Sequence, residues 1–179
     1  YLDRLRARVP ETPIWVEKIL SGTETLPRTW PVQGTTGYVA SRALSRLLTE
    51  GEGLERIART YRDETGRTDA VEEVIHRARH QVMTQDLGAE LWTLHRMFSE
   101  VAAGDPLGSE FGPETLREAL LEFIAAFPRY RTYMTVEAIS DADARLVRDT
   151  ARRAAERLNQ PGAIPFLADV LTRATPETA

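Results

Sequence analysis

The sequence predicts a mainly α-helical chain with minor β content. Apolar residues recur at spacings of three and four along most of its length, the period of an amphipathic helix. Strand character is limited to residues 13–20, "PIWVEKIL", and about 128–134, "PRYRTYM", where β-branched or aromatic side chains follow a proline. Glycine and proline clusters such as "GEG", "GDPLG" and "NQPG" punctuate the periodic segments and fix their limits.

In chain order, Leu2, Leu5 and Val9 mark a first helix that Pro10 and Pro13 end before the strand at 13–20. Residues 21–37 hold Gly22, Gly34, Gly37, Pro27 and Pro31, the chemistry of a long irregular loop. After Tyr38, the faces Ala43, Leu44, Leu47, Leu48 and Leu54, Ile57, Ala58, Tyr61 predict a helical hairpin that ends at Gly66. Asp69 is the expected N-cap of the longest helix, whose stripe runs from Val71, Val74, Ile75, Ala78 and Val82 through Leu87, Leu91 and Leu94 to Phe98 and Val101. Pro113 starts the next helix, with Leu116, Leu120, Phe123 and Ile124 as its apolar face. A second strand is expected at 128–134. Ser140 with Asp143 reads as a capping box that opens a helix through Leu146, Val147, Ala154 and Leu158, and Pro165 begins a last short helix.

The bulk properties narrow the function classes. At 179 residues the chain can bury a sizeable core. It has no cysteine, which removes disulfides, thiolate metal sites and thiol nucleophiles, and is compatible with a reducing cytoplasm. No apolar run approaches a membrane span, and "YLDRLRARVP" lacks the layout of a signal peptide, so a soluble cytoplasmic protein is expected. A net charge of −4, with arginines dispersed, offers little attraction to nucleic acid or to an anionic membrane. The start at Tyr1 without methionine and the close on "TPETA" suggest a piece of a longer protein. Two strands so far apart do not make a sheet by themselves and call for partner strands; their order with the helices is that of an α/β barrel or layered sheet with an enlarged helical insertion.

Three motifs, "VEKIL" at 16–20, "ETLPRTWPVQGTTGY" at 24–38 and "FPRYRTY" at 127–133, together resemble the maltooligosyltrehalose synthase family of the α-amylase superfamily, over roughly residues 1–170. That family rearranges the reducing-end α-1,4 bond of a maltooligosaccharide into an α,α-1,1 bond by intramolecular glycosyl transfer on a (β/α)₈ barrel. The resemblance implies a glucosylmutase, hence an isomerase, acting on maltooligosaccharide; no cofactor and no metal are expected. It divides the chain into a barrel segment at 1–37, a helical insertion at 38–126, and a barrel strand with following helices at 127–179.

On this resemblance residues 13–20 are the fifth barrel strand and Glu17 occupies the place of the general acid/base. Such sites lie at the carboxyl ends of the strands, and burial there would help the carboxyl group keep a proton for the leaving oxygen. Taken by themselves, Glu17 and Lys18 read as a surface ion pair on an edge strand, because most charged residues are exposed. Lys18 points to the opposite side of the strand from Glu17. Trp30 and Tyr38 flank a loop that the resemblance sets beside the substrate; they either stack on sugar rings or anchor the loop. Tyr130, Arg131 and Tyr133 match the family, and Arg131 serves either as a donor to sugar hydroxyls or as a structural ion-pair partner. The chain departs from the family where Val39 replaces an aspartate, removing a helix cap or polar contact, and where Arg129 replaces a valine.

His76 and His80 stand four apart and could share a metal, but arginines surround them in "HRARH" and no glutamate lies between; a solvated helix face is the reading adopted. Retaining glycosyl transfer needs two carboxyl groups, of which this segment supplies Glu17. The resemblance implies that the nucleophilic aspartate lies ahead of residue 1 and a further essential aspartate beyond residue 179. The rest of the parent polypeptide is therefore an expected partner, and the chain alone is expected to be inactive. A helical docking or oligomerisation module at 38–126 is the alternative function; a helical transcription factor is disfavoured because no basic recognition helix stands out.

Overall fold

A computed structural model describes residues 1–22, 24–135, 138–159 and 161–173. The chain is mainly helical, as predicted. It divides into two compact units, Tyr1–Thr68 and Asp69–Ala179.

The first unit holds α1 (Leu2–Arg8), β1 (Trp15–Val16), β2 (Gly34–Thr35), α2 (Tyr38–Leu47) and α3 (Gly51–Thr65). The strands pair in parallel, Trp15 opposite Gly34 and Val16 opposite Thr35. Strand structure is thus far shorter than the predicted 13–20, and β2 arises inside the stretch expected to be irregular. A ladder extends only as far as a neighbour accompanies it, and among the described residues β1 has one neighbour, of two residues. Gly37 precedes α2 at φ 75°, a left-handed conformation that glycine adopts without strain, and supplies no side-chain cap. Glu50 caps α3 by accepting from the amides of Glu52 and Gly53, and Gly66 closes it at φ 66°. Neither α2 nor α3 buries a residue, and their apolar faces stay open: Leu47 is 79 % exposed and Ile57 69 %.

The second unit holds α4 (Val71–Gln85), α5 (Gly88–Ala103), a 3-10 turn (Gly108–Glu110), α6 (Pro113–Ala126), α7 (Asp141–Ala155) and α8 (Ala163–Thr172). Helix α6 is the hub, in contact with α4, α5, α7 and α8. Its Leu116, Ala119, Leu120, Leu121, Phe123 and Ala125 are buried with Phe98, Val147, Ile164 and Phe166 in one core. Leu116, Leu120 and Phe123 had been predicted as its face; the burial of the residues between them shows a helix covered on more than one side. Gly108 permits the closest approach in this core, since a Cβ there would lie 2.7 Å from the Ala102 backbone.

Four expectations change in this unit. The single long helix from Asp69 is two helices, because Asp86 and Leu87 both donate their amides to the Val82 carbonyl and the chain turns before Gly88. Asp69 does not cap α4, whose N-cap is Ala70; its carboxylate pairs with Arg77 at 3.2 Å. Residues 128–134 form no strand, having no neighbouring strand among the described residues to pair with. The apolar stripe of α4 is not its buried side either: Val71, Val74, Ile75 and Val82 are exposed, while Met83 is buried and His76 and His80 are half-buried. The capping box, by contrast, is present: Ser140 accepts from the Asp143 amide and its hydroxyl donates to the Asp143 carboxylate at 2.8 Å. Among the described residues no helix is long and apolar enough to cross a membrane.

Candidate functional site

Glu17 directly follows β1, and Tyr38 follows β2 by three residues, so both stand at the carboxyl end of the parallel pair. The strands are held in step by Gln33 N–H to the Ile14 carbonyl at 2.9 Å and Thr36 N–H to the Val16 carbonyl at 3.1 Å. The Tyr38 hydroxyl is held above the ordinary phenol range, first by the hydrogen bond it donates to Glu17 and then by the negative charge of that carboxylate. Glu17 itself is exposed, contrary to the burial expected of it. The strand stops one residue earlier, and among the described residues it pairs with β2 alone.

Lys18 is the buried member of the pair. Its ammonium lies 2.9 Å from the Glu24 carboxylate, with both side chains under 10 % exposed. Glu24 also accepts from the Ser21 amide at 3.1 Å. Lys18 thus belongs to the loop's internal scaffold and faces away from Glu17, as alternation along an extended chain requires.

Trp30 lies elsewhere. It is half-buried and lines a cleft of about 430 Å³ with Arg6, Pro10, Pro13 and Gln33. Pro13 and Gln33 precede the strands, so this cleft is at the opposite end of the pair from Glu17 and Tyr38. Arg6 was not singled out in the sequence, yet its guanidinium donates to the carbonyls of Thr12 at 2.8 Å and Pro31 at 2.9 Å and to the Gln33 side chain at 3.2 Å. One planar fork with five donors can tie three backbone segments together, and no local sequence pattern announces that.

In the second unit, Tyr130 is exposed, and the Arg131 guanidinium lies 5.0 Å from the centroid of the Tyr133 ring. Arg131 also donates to the Thr132 carbonyl at 3.0 Å. Tyr130 and Arg131, but not Tyr133, form one rim of a groove of about 1150 Å³ whose other walls include Ile75, Val82 and Leu94. The segment is shaped at its start by Arg79, which donates to the carbonyls of Ala125 at 2.6 Å and Phe127 at 3.1 Å and so satisfies the end of α6.

The solvated-face reading of the histidines does not hold. His76 Nε2 lies 2.8 Å from Glu122 Oε2 and His80 Nε2 2.8 Å from Glu122 Oε1, so one buried carboxylate on α6 faces both rings. Burial holds the His80 imidazole below its ordinary range, against the pull of Glu122 in the other direction. The histidine spacing was visible in the sequence. Glu122, a lone charge within the apolar run "ALLEFIAAF", was the other signal, but nothing local joins the two.

No family model matches the chain, and no curated protein matches it. Among solved structures it is similar to a maltooligosyltrehalose synthase from Arthrobacter ramosus, with 25% identity and a TM-score of 0.78 over 97% of this chain. It is also similar to a glycosyltrehalose synthase, with 27% identity and a TM-score of 0.65 over 94% of this chain. The chain spans only 21% and 20% of the lengths of those two proteins, respectively.

Proposed function

We propose that this chain is part of an intramolecular transglycosylase that converts the reducing-end α-1,4 bond of a maltooligosaccharide into the α,α-1,1 bond of a maltooligosyltrehalose. Likeness to two trehalose-forming synthases over nearly all of its length supports this reading. The observation that carries it is the position of Glu17, just beyond the carboxyl end of a parallel strand and close enough to Tyr38 to hold that phenol above its ordinary range. In the parent, residues 1–37 and 127–179 are barrel segments and 38–126 a helical insertion. The open faces of α2 and α3 and the groove beside Tyr130 are then covered by the rest of that polypeptide, most of which this chain does not include.

Glu17 protonates the glycosidic oxygen as the bond to the terminal glucose breaks, while a carboxylate from elsewhere in the parent takes the sugar carbon. The freed glucose then presents its anomeric hydroxyl to that carbon, and Glu17 removes the hydroxyl proton as the new bond forms. The donor Arg131 and the rings of Tyr130 and Tyr133 suit sugar hydroxyls and faces; Trp30 contributes only if its cleft is part of the sugar path. Lys18 acts through the loop it braces with Glu24.

The test is Glu17→Gln in the full-length parent. The amide keeps the shape but cannot cycle a proton, so folding should persist while turnover falls about 10²–10⁴-fold. Conversion is followed as loss of reducing ends from maltohexaose. Near wild-type turnover would remove Glu17 from the chemistry and favour the docking-module reading, to which the exposed faces of α2 and α3 also lend themselves.

A further inference from the structure

The cluster of His76, His80 and Glu122 has no part in the proposed glycosyl transfer. Its members come from two helices: the histidines sit one turn apart on α4, with ring centroids 4.5 Å apart, and the carboxylate enters from α6. One donor atom from each residue lies within 4.8 Å of the others. Donors held about 2.1 Å from a shared tetrahedral ion stand roughly 3.4 Å apart, so small side-chain rotations suffice to enclose one. His80 Nε2 is buried and, despite its 2.8 Å approach to Glu122, lacks hydrogen-bond geometry to any partner. A buried nitrogen set against a carboxylate without a directed hydrogen bond calls for an explanation, and an ion held between the two is one.

The arginines that argued against a metal are engaged elsewhere. Arg77 pairs with Asp69 at 3.2 Å, and Arg79 donates to the Ala125 and Phe127 carbonyls at the end of α6. Arg157, whose charge also acts on His80, is bound by Glu73 through two hydrogen bonds, at 3.2 and 2.5 Å. Two imidazoles and one carboxylate form a borderline-soft donor set, suited to zinc-like ions and unsuited to magnesium or calcium, which favour all-oxygen shells.

We propose that His76, His80 and Glu122 form a binding site for one divalent transition-metal ion, zinc being the type case, which clamps α4 to α6. Three protein ligands leave the fourth position to water. The two rings are only about one-fifth to one-quarter exposed, which leaves a path for the ion to enter. The site belongs to the second unit alone and stands or falls independently of the catalytic reading.

The experiment is calorimetric titration of the untagged, chelator-treated 179-residue chain with zinc chloride. Saturable uptake of a single ion is expected. His76→Ala, His80→Ala and Glu122→Gln should each weaken it by at least about tenfold, no less than the loss of an outer-shell partner costs. His95→Ala should leave binding unchanged, because that ring sits 2.8 Å from the Pro113 carbonyl, away from the cluster; with no cysteine in the chain, no thiol competes. Cobalt should give the visible bands of a low-coordinate site in the wild type and lose them in His80→Ala. If Glu122→Gln fails to fold by circular dichroism, the two histidine variants decide. Absence of saturable uptake, or equal uptake by wild type and His80→Ala, would overturn the site.

Discussion

Glu17 and Tyr38 are coupled through a proton. The phenol donates to the carboxylate, and ionising it would put two negative charges side by side, so the tyrosine titrates above the ordinary value of about 10. The folded-state value is raised, so the contribution is fully present below the unfolded value and is lost as pH rises through the folded one. With tyrosines labelled at Cζ, carbon NMR should show the Tyr38 resonance titrating late, and Glu17→Gln should return it toward the ordinary range. An unmoved resonance in that variant would mean the two side chains do not meet. Glu17 was legible in sequence because a charge within an apolar strand is conspicuous; its exposure was not, since burial depends on which strands stand beside it. Lys18 shows the same limit. Alternation put it on the side away from Glu17, but its partner Glu24 is chosen by the path of the loop.

Helices proved more legible than strands because their signals are local. The spacing around Leu44 and Leu47, Pro113 at the start of α6 and the Ser140–Asp143 box each lie within a few residues of the element they announce. The two-residue ladder of β1 and β2 depends on pairing across the intervening loop, and neither segment announces its partner. Periodicity also says which face of α4 is apolar without saying what covers it; the groove beside that face is why Ile75 and Val82 remain open. Helix α2 carries a testable defect. It has no side-chain cap and no acidic residue in its first turn, and Val39, the second residue, is 44 % exposed. Val39→Asp should stabilise the first unit by about 0.5 kcal/mol through the partial positive charge of the helix start. Urea titration followed by far-ultraviolet circular dichroism measures this, and the gain should shrink with added salt. A loss of stability would mean that the apolar side chain matters more than the dipole.

At the scale of the whole chain, the burial pattern is uneven. The second unit has a continuous core around α6 and an open groove beside Tyr130; in the first unit α1, α2 and α3 bury nothing, and Leu47, Leu48 and Ile57 lie open. Apolar surface of this extent marks a place where other polypeptide packs. The proposed parent supplies it, and supplies as well the nucleophile that a single acid/base residue cannot replace, since protonating the leaving oxygen and holding the sugar carbon are tasks for two groups about 5–5.5 Å apart. The chain by itself should therefore leave maltohexaose unchanged, however well folded its second unit is. Incubating it with maltohexaose over hours, beside the full-length parent at equal concentration, and assaying reducing ends separates the cases. No loss above the buffer control is expected from the chain and complete conversion from the parent. Consumption of reducing ends by the chain alone, abolished by Glu17→Gln so that a contaminating enzyme is ruled out, would mean that the second carboxylate lies within these residues.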